Sequence, residues 1–282
     1  MTRRLWLIVG GILVLVTVLV VRNQIRVYNN RQMRALAAQE LAVSGEDVRR
    51  ALFDLLQPIA LANCDLQRFG EPHDGGYLMC GNLLGEVQAG YSYGISGYDQ
   101  WGCDVSTKLG VRVHQYDCFD TRQPACPGGA TRFHAECIAD TTRVEEGRPF
   151  DTFQNQFARN GDAGKQLVLK IDVEGAEWDA FLHAPEDVLE QFDQIAVEFH
   201  WSDDVKYLRV VERLKQRFHV AHLHFNNFSC VEDSEPFPAW AYEVLFVNKR
   251  IAVVDESRQG GGPQLQDAPN NPTVADCQVA PR

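Results

Sequence analysis

A short apolar run that ends in clustered acids constrains this chain more than any other segment. Residues 167–171 read LVLKI, and four apolar side chains in five positions predict a strand that is covered on both faces. Asp172, Glu174 and Glu177 follow at once. Carboxylates avoid burial unless they are paired, and ligands bind beyond the carboxyl ends of strands in open α/β sheets. The run therefore predicts a polar site at the end of a central parallel strand.

Strand-like and helix-like segments alternate through the middle of the chain. Strand candidates occupy residues 89–94, 111–116, 132–138, 166–172 and 194–200, and helix candidates occupy residues 99–109, 150–160, 186–191 and 204–217. This alternation predicts a doubly wound α/β fold. Residues 219–225 and 242–247 are strand-like without a helix-sized stretch between them, which predicts an antiparallel pair. We therefore expect a mostly parallel seven-stranded sheet that is closed by an antiparallel C-terminal strand pair.

An uncharged segment near the N-terminus predicts a membrane anchor. Residues 5–21 contain no charged side chain, and Arg3, Arg4 and Arg22 flank them. At about 1.5 Å per residue, this segment approaches the ~30 Å thickness of a bilayer core. No small-residue cleavage site follows, which favours an uncleaved transmembrane signal anchor over the alternative, a cleaved secretory signal.

Changes in composition divide the chain into four parts. We expect a short tail and transmembrane anchor at residues 1–22, a helical stem at 23–60, an α/β domain at 61–250 and a disordered C-terminal tail at 251–282. The last assignment depends on the many Gly, Pro and Asn residues after position 259, a composition that cannot bury much apolar surface.

The eight cysteines and the acidic composition limit the compartment and the partners. An even and high cysteine number without a C-x-x-C pair favours disulfides over a zinc or redox site, with buried free thiols as the alternative. Together with the anchor, this predicts a lumenal, periplasmic or extracellular domain. The formal net charge of −11 argues against a nucleic-acid partner, because phosphate binding requires clustered Lys and Arg.

The first predicted strand leads into a turn that is typical of a nucleoside site. Gly94 ends this strand, and Asp117 follows the second strand 23 positions later (117 − 94), near the ~20 expected between a nucleotide-binding turn and a ribose-binding acid. The dinucleotide pattern G-x-G-x-x-G fails, because positions 94, 96 and 99 are Gly, Ser and Asp. A pyrophosphate would lack a cradle of backbone amides, so the turn favours a nucleoside over a dinucleotide.

On these residues the chain resembles the class I S-adenosylmethionine-dependent methyltransferases, in particular the methyltransferase-like branch related to the FkbM sugar O-methyltransferases. The segments that carry the resemblance are residues 74–77, 91–95, 114–117, 169–178, 197–201, 226–227 and 242–248. Residues 170–177, KIDVEGAE, are the most specific part, and the chain departs from the usual glycine-richer first loop at Ser96 and Tyr98. The resemblance implies a Rossmann-like fold over residues 61–250 and S-adenosyl-L-methionine as the cofactor.

The same resemblance implies a set of cofactor-binding positions. These are Gly94, Ile95, Ser96, Asp117, Asp140 and Asp172. The first three would line the methionine and ribose, Asp117 would hold the ribose, Asp140 would flank the adenine with the residues from 137 onward, and Asp172 would lie beside the methionine end.

Methyl transfer to oxygen benefits from a residue that receives the hydroxyl proton. His200 is the first candidate, because it ends the fifth strand with Glu198 two residues earlier on the same face; a hydrogen-bonded core histidine is the alternative. Asp172 and Glu174 complete the predicted catalytic set. Two roles are open for each of Glu174 and Glu177: the first turn of the next helix, or contact with the acceptor.

The sequence therefore predicts a membrane-anchored methyltransferase that acts on a hydroxyl of a glycan or a related small molecule. The alternative is a non-catalytic, membrane-anchored binding module that keeps this fold. Asp172, Glu174, Glu198 and His200 offer ligand atoms that suit Mg²⁺ or Mn²⁺. Nothing in their spacing requires a metal, and we expect none.

Overall fold

A computed structural model of the chain describes residues 45–258, 260 and 266–277. The predicted tail and anchor at residues 1–22 lie outside these ranges, as does the predicted stem up to residue 44. Of the helices that are described, none is both long and apolar enough to span a bilayer.

Helices and strands alternate along most of the described chain. The helices are α1 (Gly45–Leu55), α2 (Gln100–Leu109), α3 (Phe153–Asn160), α4 (Glu177–His183), α5 (Glu186–Glu190) and α6 (Val205–Arg217). The strands are β1 (Leu66–Gly70), β2 (Gly76–Cys80), β3 (Ala89–Tyr93), β4 (Arg112–Tyr116), β5 (Ala130–His134), β6 (Cys137–Ile138), β7 (Arg143–Glu145), β8 (Arg148–Asp151), β9 (Leu167–Ile171), β10 (Phe192–His200), β11 (Phe218–Phe225) and β12 (Ala241–Asn248).

The central sheet has seven strands in the order β11-β12-β10-β9-β3-β4-β5. The five strands from β10 to β5 in this order run parallel, and β12 is antiparallel to both of its neighbours. This arrangement confirms the predicted mostly parallel α/β sheet with an antiparallel C-terminal pair. β1 and β2 form a separate hairpin, and β6, β8 and β7 form a small second sheet.

The central strands of the sheet are buried on both faces, as the apolar residues of β9 predict. Every residue of β9 is buried; Leu167, Leu169 and Ile171 face one side and Val168 faces the other. The first side packs against α1, α3, α4 and α6, whereas the second side packs against α2 and the β1–β2 hairpin. Apolar residues on both sides of a strand are expected when helices cover both faces of a parallel sheet.

Strand register brings the predicted site residues to one edge. Tyr93 at the end of β3 pairs with Tyr116 at the end of β4 and with Ile171 at the end of β9. The residues that follow these three strand ends, Gly94, Asp117 and Asp172, therefore lie at the same edge of the sheet. β10 continues beyond its pairing with β9 and ends at His200.

Two predicted elements differ from the structure by more than two residues at one end. The expected strand at 132–138 divides into β5 in the large sheet and β6 in the small one. The expected helix at 150–160 begins only at Phe153, because the Thr152 side chain caps it by accepting a hydrogen bond from the Asn155 amide. Phe150 and Asp151 belong to β8 instead.

All eight cysteines form disulfides, which confirms the predicted bonding. The pairs are Cys64–Cys80, Cys103–Cys126, Cys118–Cys137 and Cys230–Cys277. Four disulfides in a chain of this size are typical of an oxidising compartment.

The last disulfide corrects the expectation of a disordered C-terminal tail. Cys277 is bonded to Cys230 in the loop between β11 and β12, and the Asn270 side chain donates hydrogen bonds to Asp74 and Glu243. The disordered interpretation is therefore wrong for residues 266–277, which we call the C-terminal strap.

Candidate functional site

The end of β3 touches the end of β9 so closely that only glycine fits there. Gly94 has φ +70°, and a Cβ atom at this position would lie 1.5 Å from the carbonyl oxygen of Asp172. Lys170, which is buried in β9, donates hydrogen bonds to the carbonyl oxygens of Tyr93 and Gly94. The glycine and the lysine thus fix the two strand ends against each other and set the position of Asp172.

A cavity of about 220 Å³ opens at the ends of β3, β4 and β9, and we call it the apolar cavity. Aromatic, aliphatic and a few polar side chains line it: Tyr93, Gly94, Ser96, Tyr116, Asp117, Phe119, Cys137, Ile138, Phe150, Asp172, Val173, Glu174 and Ala176. Four of the six positions implied for the cofactor are in this lining. Ile95 is buried in the protein and is absent from the lining. Asp140 is also absent from it and pairs with Arg143 at 2.8 Å.

Asp117 organises the loops at the mouth of the apolar cavity. One carboxylate oxygen accepts hydrogen bonds from the amides of Ile95 and Ser96, and the other accepts from the amides of Phe119 and Asp120. An ionised carboxylate has about four acceptor positions, and backbone amides occupy all of them. The acid predicted to hold a ribose therefore also ties two loops together.

A second cavity of about 310 Å³ adjoins the first, and we call it the acidic cavity. Its lining includes four carboxylates and one imidazole: Asp74, Asp172, Glu174, Glu198, His200, Asn226, Phe228, Ser229, Trp240 and Ala241. Asp172 and Glu174 belong to the lining of both cavities. The three residues predicted to be catalytic, Asp172, Glu174 and His200, are thus brought together where the two cavities meet.

Glu177 holds His200 in place, a role that the sequence did not reveal. It is the first residue of α4 and is fully buried. One of its carboxylate oxygens lies 3.1 Å from His200 Nδ1 and accepts a hydrogen bond from the His200 amide at 3.0 Å. The other oxygen accepts a hydrogen bond from the Gly175 amide at 2.9 Å. Glu177 is therefore the helix-starting acid of the motif, while Glu174 projects into solvent with its side chain 82% exposed.

The Nε2 atom of His200 points into a group of carboxylates. It lies 3.5 Å from Glu174 Oε2, 3.7 Å from Glu198 Oε1 and 3.8 Å from Asp172 Oδ1. Burial lowers the pKa of His200, but the hydrogen bond and charge of Glu177, together with the charges of Asp172 and Glu174, outweigh burial and raise it. The imidazole therefore tends to keep its proton in this form of the site.

Two glutamates face each other beneath this group. Glu198 on β10 pairs directly with Glu243 on β12. Burial raises the pKa of Glu198 well above its usual value, with further increases from the charges of Asp172 and Glu243. Burial also raises the pKa of Glu243 to about 7. Like charges on directly opposed residues are unfavourable, so the acidic cavity has a strong need for positive charge or protons.

Backbone strain is concentrated around the two cavities. Ser96, Glu174 and Trp201 have φ values of +46°, +55° and +67°, three of the five non-glycine residues with positive φ in the described ranges. Trp201 is 53% exposed and stacks on Trp240 with ring centroids 5.2 Å apart. Such strained residues tend to collect at functional sites, where the surrounding structure compensates for their cost.

Comparison with known proteins yields no assignment. No family model matches the chain, and no curated protein matches it with significant sequence similarity. Its function must therefore be inferred from the chemistry of the two cavities.

Proposed function

We propose that this chain is an S-adenosylmethionine-dependent methyltransferase that transfers a methyl group to a hydroxyl of a glycan or a related small molecule. The observation that carries the proposal is the junction of two chemically different cavities at Asp172 and Glu174. One cavity suits the body of an organic cofactor, and the other suits a polar acceptor. A transferase requires such a junction, because donor and acceptor must meet in line.

The apolar cavity has features that suit an adenosyl group. Phe119 is 73% exposed at its rim and offers an aromatic face for a base. The strand order around it, with an antiparallel final pair, agrees with the Rossmann-like methyltransferase fold that the sequence resemblance implies. Asp172 is the carboxylate available to the ammonium group at the methionine end.

The acidic cavity has features that suit a hydroxyl-bearing acceptor. Its carboxylates accept hydrogen bonds from hydroxyls, and Trp240 with its stacked partner Trp201 offers an apolar face for a sugar ring. In the reaction, the bond between the donor sulfur and its methyl carbon breaks as the bond from the acceptor oxygen to that carbon forms. The hydroxyl proton passes to one of the side chains that face the acceptor, with Asp172 in the lining of both cavities and His200 in the lining of the acidic cavity.

The setting proposed for this reaction is a membrane-anchored domain outside the cytosol. The uncharged segment at residues 5–21 supports the anchor, and the four disulfides support an oxidising compartment. The partners in this proposal are the membrane and the acceptor.

A non-catalytic binding module remains the second candidate, and Asp117 favours it. Because four backbone amides already occupy its carboxylate, a ribose can bind only if it displaces some of these hydrogen bonds. A chain that lost the reaction but kept the fold would tolerate such a closed arrangement.

Calorimetry on the full disulfide-bonded chain distinguishes the two candidates. We expect saturable one-to-one binding of S-adenosylmethionine and of its demethylated product, S-adenosylhomocysteine, with NAD as the control that does not bind. Labelled S-adenosylmethionine incubated with a panel of saccharides should then give labelled methyl ether. Absence of binding by both adenosyl compounds would reject the methyltransferase proposal and leave the binding module.

A further inference from the structure

The acidic cavity contains a group of ligand atoms with the spacing of a cation site. One atom each from Asp172, Glu174 and His200 lie within 4.8 Å of one another. We propose that these three side chains bind a divalent cation, Mg²⁺ or Mn²⁺, contrary to the metal-free site expected from the sequence.

The orientation of His200 is an observation independent of the acids. Its side chain is only 2% exposed, and Glu177 holds Nδ1, so Nε2 is the atom presented to the cavity. Within the described residues Nε2 makes no hydrogen bond, because its nearest carboxylate oxygen lies at 3.5 Å, beyond the usual range of about 2.7–3.2 Å. A carboxylate on one imidazole nitrogen with the other nitrogen free for a metal is a recurrent arrangement in metal sites.

The distances between the ligand atoms are somewhat longer than those around a bound ion, so the side chains would move closer together on binding. Ligand atoms around an ion at about 2.1 Å lie roughly 3 Å apart when they are adjacent. The Nε2 atom of His200 lies 3.5 Å from Glu174 and 3.8 Å from Asp172, and the three ligand atoms lie within 4.8 Å of one another, so an ion would have to draw the group together. Glu174 can supply its part of this shift, because its side chain is 82% exposed.

The charge of the site also calls for a cation. Glu198 Oε1, 3.7 Å from Nε2, adds a third carboxylate, and its side chain is 8% exposed with a single amide donor, Asn226. The nearest fixed positive charge, Lys170, lies 3.6 Å from Asp172, but its ammonium group also donates to two backbone carbonyls. A divalent ion would compensate the negative charge that one lysine leaves among the three carboxylates of Asp172, Glu174 and Glu198.

The ligand set selects the class of metal. Carboxylate oxygens suit Mg²⁺ and Mn²⁺, and one imidazole nitrogen is compatible with Mn²⁺ in particular. Every cysteine of the chain is in a disulfide, so thiolates are not available to favour zinc or copper. Mn²⁺ is therefore the appropriate probe.

The role of the ion rests on the proposed function. In the acidic cavity the ion would hold the acceptor hydroxyl beside Asp172, next to the apolar cavity. The ion would also favour loss of the hydroxyl proton. His200 would then be a metal ligand and would not receive that proton itself.

The test measures binding of Mn²⁺ alone to the full disulfide-bonded chain by electron paramagnetic resonance of the free ion. We expect one saturable site with a dissociation constant below about 1 mM, the weak end of protein sites for hard cations. Glu174→Gln should weaken binding at least about tenfold. This variant is informative about the site because the side chain is exposed and its replacement leaves the buried network intact.

Asp179→Asn is the matched control. Asp179 is a half-exposed acid on α4 that pairs with Lys206 at 3.2 Å and does not line the acidic cavity, so the variant loses the same charge without losing a ligand. The proposal is overturned if the wild type shows no saturable binding, if Glu174→Gln binds as the wild type does, or if Asp179→Asn loses as much affinity. Since no methyl donor is present, failure here leaves the methyltransferase proposal untouched, and failure of donor binding leaves the cation site untouched.

Discussion

The two cavities share Asp172 and Glu174 but differ in how they are built. The apolar cavity is formed by residues that directly follow three parallel strands, and its acid, Asp117, is fully occupied by backbone amides. The acidic cavity is assembled from distant parts of the chain, and its carboxylates have too few donors. We infer that local structure preorganises the apolar cavity, whereas the acidic cavity holds carboxylate charge that protons or a cation can compensate.

Removal of single disulfides should give the largest effects and should distinguish the two cavities from each other. Cys118→Ala with Cys137→Ala removes the disulfide that closes a loop of 19 residues beside the apolar cavity. Cys230→Ala with Cys277→Ala removes the disulfide that closes a loop of 47 residues and holds the C-terminal strap. Loop-closure entropy predicts losses in unfolding free energy of about 3 and about 4 kcal/mol. Thermal and urea unfolding measure both losses.

The two variants should affect different ligands. The first variant should weaken S-adenosylhomocysteine binding and spare Mn²⁺, because Cys137 lines the apolar cavity. The second should weaken Mn²⁺ binding and spare the adenosyl compound, because the strap hydrogen-bonds Asp74 through Asn270. Equal losses of both ligands in both variants would mean that the cavities are not independent.

His200→Ala should act on the acidic cavity alone. As a proton acceptor or as a metal ligand, His200 contributes to the transfer step, so turnover should fall at least about 100-fold. Affinity for S-adenosylhomocysteine should stay within about twofold of the wild type, because His200 does not line the apolar cavity. Labelled methyl transfer and calorimetry provide the two numbers, and an unchanged turnover would exclude His200 from the reaction.

Asp162 offers a stability change that should spare both cavities. Burial raises the pKa of Asp162, but hydrogen bonds from His114, Lys165 and Tyr91 outweigh burial and lower it to about 2. Its usual value is about 3.9, so the ionised group stabilises the fold by about 2 kcal/mol above pH 5, and this contribution is lost as the pH falls towards 2.

Asp162→Asn should therefore lower the unfolding free energy at pH 7 and converge with the wild type near pH 2. Urea unfolding across this range measures the difference. A destabilisation that is independent of pH would show that packing, and not the charge of Asp162, is responsible.

Two exposed phenylalanines allow the finest comparison. Phe119 lines the apolar cavity and Phe228 lines the acidic one, and both are more than half exposed, so neither is needed for the core. Loss of one stacking contact predicts that Phe119→Ala weakens S-adenosylhomocysteine about tenfold. Phe228→Ala should leave this affinity unchanged in the same calorimetric titration. Equal effects would place the adenosyl group elsewhere.

The sequence was sufficient to predict the α/β sheet and to predict that Gly94, Asp117 and Asp172 lie at one edge of it. The central strand β9 is an apolar run of strand length, and parallel strands in register bring their following residues to one edge. The position of Gly94 beside Asp117 and Asp172 therefore depends on spacing along the chain. Asp140 lies outside the lining of the apolar cavity, because the chain leaves the large sheet after β5.

The acidic cavity could be predicted only in part, because its contacts are long-range. Glu177 and His200 are 23 positions apart and meet only after α4 packs on β10. The strap was missed because its Gly, Pro and Asn residues predict disorder, whereas a disulfide and side-chain hydrogen bonds hold it. Neither contact leaves a periodic signal in the sequence.

A crystal structure of the full chain with S-adenosylhomocysteine and Mn²⁺ would show whether donor and acceptor sites meet at Asp172. We expect the adenosyl group in the apolar cavity beside Phe119, the sulfur facing Asp172, and the ion between Glu174 and His200. An adenosyl group bound outside the apolar cavity, or a sulfur turned away from the acidic cavity, would contradict this expectation.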